Sequence, residues 1–142
     1  MYFKGQKFLV AGISRSGESS ARFLLARGAK VYLYDDIVNE TVRKTMDELV
    51  QAGAAEVTAS DLEEAVRECD VLVLSPGIPI DNALPVTFRR MGKLIIGEEE
   101  LAAQYLRATA VAVTGTNGKT TTVTMIDKML RDCGKCSVAC GN

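Results

Sequence analysis

The sequence predicts an α/β protein whose first part is a doubly wound, mostly parallel sheet. Short apolar runs alternate with segments of helical period, and a glycine-rich loop separates the first run from the first helical segment. The runs are continuous in apolar residues, which is typical of parallel strands buried on both faces. Because parallel strands need crossover helices, we expect a sheet with helices on both sides.

The predicted elements of this first part end at residue 96. A strand at residues 7–11, a helix at 18–27 and a strand at 30–34 form a β-α-β unit with a right-handed crossover. The later elements are a helix at 39–52, a short strand at 56–58, a helix from a capping box at 60–63 to residue 68, a strand at 71–74, a helix at 82–91 and a strand at 94–96. Together they predict a complete domain at residues 1–97.

Residues 98–142 are predicted to be a linker and the start of a second α/β domain. A bridging helix at 98–107 precedes a buried strand at 110–114, a glycine-rich loop, a helix at 120–132 and a further strand from Lys135. One strand–loop–helix unit cannot bury both faces of a sheet. We therefore expect this second domain to be incomplete and the chain to be a truncated piece of a longer protein.

The composition is that of an ordinary globular protein. The 142 residues carry 17 Lys and Arg against 18 Asp and Glu, and 47% of the residues are hydrophobic, which excludes a disordered or collagen-like chain and a basic nucleic-acid tail. No apolar run approaches the roughly 20 residues that cross a bilayer, and residues 1–5 lack the apolar stretch of a signal peptide. We expect a cytoplasmic protein.

The content of histidine and cysteine restricts the chemistry. The sequence has no histidine, which excludes an imidazole base, a Ser-His-Asp triad and a His-ligated metal within these residues. The C-x-x-C spacing of Cys133 and Cys136, with Cys140 nearby, allows a zinc or redox site. The alternation of Cys136, Val138 and Cys140 favours the other interpretation, which is reduced thiols buried on one face of a strand.

The loop at residues 12–17 has the pattern Gly12-x-Ser14-x-x-Gly17 between a strand and a helix. Such glycines let a pyrophosphate approach the helix N-terminus, and an acidic residue about 20 positions later accepts hydrogen bonds from ribose hydroxyls. Asp35 and Asp36 stand at that distance, whereas Ser14 replaces the usual middle glycine. The alternative is a tight turn that binds nothing.

A second candidate segment is Ser75-Pro76-Gly77-Ile78-Pro79, directly after the predicted strand at 71–74. In open α/β sheets ligands bind at this edge, and Ser75 or the Gly77 amide could donate a hydrogen bond to a phosphate. The two prolines are equally well explained by a rigid turn.

The third motif is the loop at residues 115–121, Gly-Thr-Asn-Gly-Lys-Thr-Thr. Between a buried strand and a helix, its amides can surround phosphate oxygens, Lys119 supplies a point charge and a hydroxyl can ligate Mg²⁺. It is a G-x-x-G-K-[ST] loop, shorter than the standard phosphate-binding loop, because Val113 stands where that motif begins with glycine. A solvated helix cap is the alternative.

In combination these segments resemble the N-terminal part of the Mur ligases. The resemblance is carried by residues 12–17, 26–28, 35, 75–79, 97–101, 114–121 and 141–142. Within that family the Ser-Pro-Gly-Ile-Pro segment is similar to the D-glutamate-adding branch, and a Rossmann-like first domain distinguishes the chain from folylpolyglutamate synthases.

The resemblance implies a UDP-binding first domain, a central ATPase domain and a third domain for the incoming amino acid. The implied reaction uses ATP to phosphorylate the carboxylate of UDP-N-acetylmuramoyl-L-alanine, with Mg²⁺, and the amine of D-glutamate then displaces phosphate, a step of peptidoglycan biosynthesis. It implies no nucleic acid and no membrane insertion. The family's Mg²⁺-binding Glu, its His and its carbamylated Lys would follow Asn142, so we expect the fragment alone to be inactive.

The resemblance also assigns roles to residues. Lys119 would be catalytic through stabilisation of the γ-phosphoryl group, and Thr120 would ligate Mg²⁺. The ATP-binding set would be Gly115, Thr116, Asn117, Gly118, Lys119, Thr120 and Thr121. Arg15, Ser16, Asp35 and Asp36 would face the uridine end, and Ser75, Gly77 and Asn142 the diphosphate and muramoyl part. Ile37 stands where the family often has a basic side chain.

Three other functions are compatible with parts of the sequence. A nicotinamide-dependent oxidoreductase domain would explain residues 12–17 and Asp35 but leaves residues 115–121 without a role. A non-catalytic nucleotide-binding module would need only the first domain, and a P-loop kinase only the second loop. Titration with NAD against UDP separates the oxidoreductase from the ligase.

Overall fold

The computed structural model describes residues 3–140, which form two compact units. The first unit ends at Tyr105 and the second begins at Leu106. Asn142, one of the predicted substrate-binding residues, lies outside the described residues.

The described part of the first unit is an alternating series of strands and helices. The strands are β1 Lys7–Ala11, β2 Lys30–Tyr34, β3 Ala55–Glu56, β4 Val71–Leu74 and β5 Leu94–Gly97. The helices are α1 Arg15–Leu25, α2 Glu40–Gln51, α3 Leu62–Glu68, α4 Ala83–Arg90 and α5 Glu98–Ala103.

The strands form one parallel sheet in the order β3-β2-β1-β4-β5. The chain therefore leaves β1 first to one side and then, through β4, to the other, so the strand order reverses between β1 and β4. Ala11 at the end of β1 pairs with Leu74 at the end of β4. This arrangement confirms the predicted α/β class and places the ligand-binding edge at the loops after these two strands.

The core lies on both faces of this sheet. Alternate residues of β1 point to opposite faces, so Phe8 and Val10 belong to one buried cluster and Leu9 and Ala11 to the other. The first cluster includes Leu24 of α1, Met46 and Leu49 of α2 and Leu101 of α5. The second includes Ala65 and Val66 of α3 and Leu84 and Phe88 of α4. Burial on both faces explains why the strands read as continuous apolar runs.

Side chains satisfy several helix ends in the first unit. The Asn39 side chain accepts a hydrogen bond from the Val42 amide at 2.9 Å, which caps α2, and Asn82 caps α4 in the same way. At the C-terminus of α3 the Lys93 ammonium donates to the carbonyl oxygens of Val66, Arg67 and Cys69 at 2.5–2.7 Å. These bonds orient the helices below the ligand-binding edge.

The first compact unit continues through helix α5 to Tyr105. Helix α5 packs against α1, and Leu101 is buried in the core. The Tyr105 ring lies 4.9 Å from the Phe3 ring and 5.3 Å from the Phe23 ring, and the Arg27 guanidinium stacks 3.4 Å above Phe23. The segment predicted to be a linker is therefore part of the first unit, because its apolar residues complete that core.

In the second unit one helix, α6 Lys119–Asp132, is formed among described residues 106–140. The predicted strands at 110–114 and from Lys135 are wrong for this structure, since neither segment pairs in a ladder and an extended segment becomes a strand only beside a partner. No described residue of this unit is buried. The predicted buried positions of Cys136 and Cys140 are wrong for the same reason; both thiols are free and exposed.

None of the helices in residues 3–140 is both long enough and apolar enough to cross a bilayer.

Candidate nucleotide site

The loops after β1 and β4 touch at the carboxyl edge of the sheet. Gly12 has φ +87°, and a Cβ built there would lie 2.6 Å from the Ser75 Cβ and 3.4 Å from the Ile78 side chain. A residue larger than glycine would fit here only if the loop after β4 moved. Gly12 therefore allows the two predicted ligand-binding loops to meet.

The second glycine of the motif closes the first loop on itself. A Cβ on Gly17 would lie 2.0 Å from the Gly12 carbonyl oxygen, which excludes every side chain. Ser14, at the middle position, has φ −78° and extended backbone, a conformation open to any residue. The structure thus shows why the outer positions require glycine and the middle one accepts serine.

The N-terminus of α1 is open to solvent at this loop. The Ser14 side chain does not cap the helix, and the first intrahelical bond runs from the Glu18 amide to the Ser14 carbonyl at 2.8 Å. The amides of Arg15, Ser16 and Gly17 therefore have no acceptor within the helix. Exposed amides at a helix N-terminus, with the positive end of its dipole, are suited to an anionic ligand.

The Asp35 carboxylate stabilises the loop after β1 through hydrogen bonds to backbone amides. Its Oδ2 accepts a hydrogen bond from the Ile13 amide at 2.6 Å, and its Oδ1 accepts one from the Ile37 amide at 2.9 Å. The predicted ribose-binding carboxylate therefore joins the loop after β1 to the loop after β2.

Asp36 is exposed and accepts a hydrogen bond from the Tyr34 hydroxyl. This bond, with burial as a second cause, raises the pKa of Tyr34 to about 12. The phenol therefore stays protonated as a donor, and it holds the Asp36 carboxylate beside the end of β2.

The segment after β4 continues the sheet before it turns. The Ser75 amide donates to the Ala11 carbonyl at 3.0 Å, and the Ser75 carbonyl accepts from the Ile78 amide at 3.0 Å. Ser75 is buried against Gly12, whereas Gly77 is exposed and has open space around its Cα. Of these two predicted residues, Ser75 shapes the site wall and Gly77 presents its backbone to solvent.

Glu98 is a buried residue at the site that the motifs did not identify as functional. It begins α5, directly after β5 reaches the same sheet edge, and its Oε1 would lie 3.3 Å from a Cβ on Gly17. Neither carboxylate oxygen has a hydrogen-bond partner, and burial raises the pKa of this group. Its place after a strand end was a signal in the sequence, but its burial depends on the packing of α5 against α1.

The second unit carries its own phosphate-type loop. Gly118 is the N-cap of α6 in the left-handed conformation, with φ +77°, and no side chain caps the helix. The first intrahelical bond runs from the Thr122 amide to the Gly118 carbonyl, so the amides of Lys119, Thr120 and Thr121 have no acceptor within the helix. The Lys119 ammonium donates to the Gly115 carbonyl at 2.6 Å and thus folds over its own loop.

An open groove lies beside the start of α6, within the second unit. Its lining residues are Val113, Lys119, Thr120, Val123, Thr124, Ala139 and Cys140. Of the predicted ATP-binding residues, the groove brings together Lys119 and Thr120, while the backbone of residues 115–118 forms the loop above them. Residues 3–140 contain no group of three or more acidic, cysteine or histidine side chains arranged to hold a metal ion.

Comparison with protein families accounts for both loops. Residues 6–97 match the N-terminal domain of Mur ligases of the MurD-like type, and residues 113–142 match the Mur ligase middle domain. Each of the two matched regions contains a glycine-rich loop that leads into a helix N-terminus. The chain belongs to the Mur ligase family.

Two similar proteins have the same name. A UDP-N-acetylmuramoylalanine--D-glutamate ligase of Koribacter versatilis is 38% identical over the whole chain, which spans 31% of that protein. One from Caldicellulosiruptor saccharolyticus is 39% identical over 97% of the chain and 31% of its own length. The structure of a murein peptide ligase from Psychrobacter arcticus has a TM-score of 0.60 at 24% identity, covering 92% of this chain and 27% of that one, which supports the fold. The chain thus spans about a third of these curated relatives.

Proposed function

We propose that this chain is the nucleotide-binding part of an ATP-dependent ligase that joins D-glutamate to UDP-N-acetylmuramoyl-L-alanine in peptidoglycan synthesis in the cytoplasm. The observation that carries the proposal is the presence of two uncapped helix N-termini, α1 and α6, each behind a glycine loop. A ligase of this kind needs one for the UDP-linked substrate and one for ATP. An oxidoreductase domain would use only the first.

In the first unit the amides of α1 and the loop at 75–79 would bind the diphosphate of the substrate. Arg15 and Ser16 are exposed on the first turn of α1 and are free to follow the nucleotide. Asp36 lies exposed beside the end of β2, on the uridine side. Asp35 contributes indirectly, since its two backbone hydrogen bonds hold the loop in the conformation that binds.

In the second unit the loop at 115–121 would bind the ATP phosphates. Lys119 would exchange its bond to the Gly115 carbonyl for a γ-phosphate oxygen and stabilise the charge on the transferring group. The free-energy cost of breaking the bond to the Gly115 carbonyl is small, because the exposed Lys119 ammonium then donates to a phosphate oxygen, which carries more negative charge.

The first turn of α6 also fits a magnesium ion. Mg²⁺ at nucleotide sites keeps several waters and takes phosphate oxygens with only one or two protein ligands. The exposed Thr120 hydroxyl beside the phosphate loop suits that donor set and would hold the ion. A bound Mg²⁺ would neutralise charge on the β- and γ-phosphates.

The chemistry explains why ATP is needed. A carboxylate is a poor electrophile, so the substrate carboxylate first attacks the γ-phosphorus of ATP and releases ADP. The amine of D-glutamate then attacks the acyl carbon, phosphate leaves with the bonding electrons, and the amine loses a proton to give the amide. Positioning and charge stabilisation are the protein's main contributions to such a transfer.

Calorimetric titration of the 142-residue chain tests the proposal. We expect UDP-N-acetylmuramoyl-L-alanine to bind and NAD not to bind, and we expect the Lys119→Met variant to lose ATP but keep the UDP ligand. Preferential binding of NAD would contradict the proposal.

We further propose that these 142 residues alone form no amide, since the chain spans about a third of the length of the ligases that it resembles. Incubation with both substrates, ATP and Mg²⁺, followed by chromatography of the products, would check this. Detectable amide would show that the chain is a sufficient ligase.

A further inference from the structure

Glu98 is a buried carboxyl group that has no assigned part in the proposed reaction. The residue is 5% exposed, and both of its side-chain oxygens lack a hydrogen-bond partner. A buried polar group without a partner costs free energy, and a buried charge costs more. The residues around Glu98 must therefore contain something that offsets the cost of burying its carboxyl group.

The carboxyl group lies against the first turn of α1. Its Oε1 is within 3.3 Å of the Cβ position of Gly17, and Gly17 itself is packed against the Gly12 carbonyl. Ser14 and Ser16 are exposed to solvent on the same turn, and the Ser16 hydroxyl lies near enough to the carboxyl group to favour its ionised form. Glu98 therefore approaches the helix N-terminus from inside the protein, while a ligand would approach it from solvent.

Few charges act on Glu98 from its surroundings. Helix α1 and strands β4 and β5 pack against α5, and the two strands carry no ionisable side chain. The ionisable residues of α1 are Arg15, Glu18 and Arg22, and Arg22 already pairs with Glu18 at 2.8 Å. Burial is the main cause that raises the pKa of Glu98; Glu99 adds to the rise, and the Ser16 hydroxyl opposes it.

The ionised form of Glu98 can be balanced by the positive end of α1 and by the Ser16 hydroxyl in the first turn of that helix. A carboxylate is stabilised near a helix N-terminus by the helix dipole. A diphosphate at the same helix end would repel that carboxylate through a region of low dielectric, and a neutral carboxyl group would not. The ligand and the ionised form of Glu98 thus compete for one positive end.

We propose that Glu98 takes up a proton from solvent when a nucleoside diphosphate binds at the N-terminus of α1, so that substrate binding depends on pH. The inference rests on the proposed function, because it needs the diphosphate at this helix end. Glu98 is a positioning residue in this role, since its side-chain oxygens are covered from solvent.

The direction in which affinity changes with pH follows from the linkage between proton binding and ligand binding. The bound state holds the proton more tightly than the free state, so affinity is highest at low pH and falls as pH rises from the free-state pKa to the bound-state pKa. A displacement of one unit between the two states changes affinity about tenfold. We therefore expect the Kd, measured from pH 5 to pH 8, to rise by about tenfold for each unit by which the ligand raises this pKa.

Calorimetry on the 142-residue chain with UDP-N-acetylmuramoyl-L-alanine is the test, because the doubly substituted diphosphate keeps its charge over this range. Two buffers of different ionisation enthalpy measure proton uptake on the unmodified chain. The Glu98→Gln variant should bind with a Kd that is flat with pH. Glu100→Gln removes an exposed charge from the same helix and should keep the wild-type dependence.

A flat Kd without proton uptake in the unmodified chain would overturn the inference and leave the proposed function in place. Retention of the wild-type pH dependence in Glu98→Gln would do the same. If the UDP ligand fails to bind at every pH, the proposed function fails and this inference falls with it.

Discussion

The two units of this chain contain the same local motif in different surroundings. In each, a glycine-rich loop leads into a helix whose first-turn amides are uncapped. In the first unit β1 precedes the loop and is paired on both sides, whereas in the second the preceding residues 110–114 pair with no described strand. The loop and helix thus form from local sequence, while the strand depends on distant partners.

The glycines show the same contrast. Gly12 is required by a close contact with the loop after β4 and Gly17 by a close contact within its own loop, at 2.6 and 2.0 Å from a hypothetical Cβ. Gly118 has no atom within 4 Å of that position and is required only by its positive φ. Tertiary packing has therefore fixed the first loop, and local backbone conformation alone accounts for the second.

The largest expected effect is the difference in stability loss when an apolar side chain is truncated in the first unit and in the second. Phe88→Ala removes a fully buried ring from the first unit and should lower the free energy of unfolding by about 4 kcal/mol. Met129→Ala removes an apolar side chain that is 58% exposed in the second unit and should change it by less than about 0.5 kcal/mol. Urea denaturation followed by circular dichroism measures both. Equal losses would mean that α6 is packed as tightly as α4.

The next effect concerns the loop of the first unit. Gly17→Ala should destabilise the chain by about 3 kcal/mol, because the new methyl group would overlap the Gly12 carbonyl oxygen. Gly77→Ala is the matched control, since the space around Gly77 is open and its φ is not positive. Urea denaturation should show no loss for the control. A stable Gly17→Ala variant would show that the loop relaxes easily.

Sequence reasoning performed best where structure is local or strongly periodic. The bounds of β1, β2 and β4 agree with the predicted runs, since continuous apolar residues identify buried strands. The burial of Leu101 was not evident from the sequence, because it depends on the packing of α5 against α1. The strand at 110–114 was predicted from apolar character, which does not supply a ladder partner.

In the candidate site, too, local features could be predicted from the sequence and long-range contacts could not. The spacing of the motifs predicted Arg15, Ser16 and Lys119 in loops that lead into helices, and the structure has them in the first turns of α1 and α6. The backbone contacts of Asp35 and the burial of Glu98 involve residues from other strands and helices. No pattern within one segment encodes such contacts.

A smaller effect compares a lysine in each unit. Lys93→Met should cost about 1.5 kcal/mol, because three carbonyl oxygens at the end of α3 lose a charged donor. Lys128→Met removes an exposed ion pair with Asp132 at 3.1 Å and should cost less than about 0.5 kcal/mol. Thermal unfolding of the two variants would check the difference. If both cost the same, the three bonds of Lys93 contribute no more than a surface pair.

The smallest expected effect concerns the pH dependence of stability and isolates Glu98. Because burial raises the pKa of Glu98 above its ordinary value of 4.5, the folded state binds this proton more tightly than the unfolded state. Its contribution is therefore fully present at low pH and is lost as pH rises through the folded-state pKa. Glu98→Gln should remove that loss, so the variant gains stability relative to wild type as pH rises.

Thermal unfolding from pH 4 to pH 8 measures the change in this difference, and the change separates titration from any constant cost of the buried amide. Glu100→Gln, exposed on the same helix, should run parallel to wild type at every pH. A Glu98→Gln curve that also runs parallel would mean that the carboxyl titrates alike in the folded and unfolded chain. The open end of α1 would then stabilise the ionised group enough to offset its burial, and the contrast between a tertiary site in the first unit and a local one in the second would rest on the glycine contacts alone.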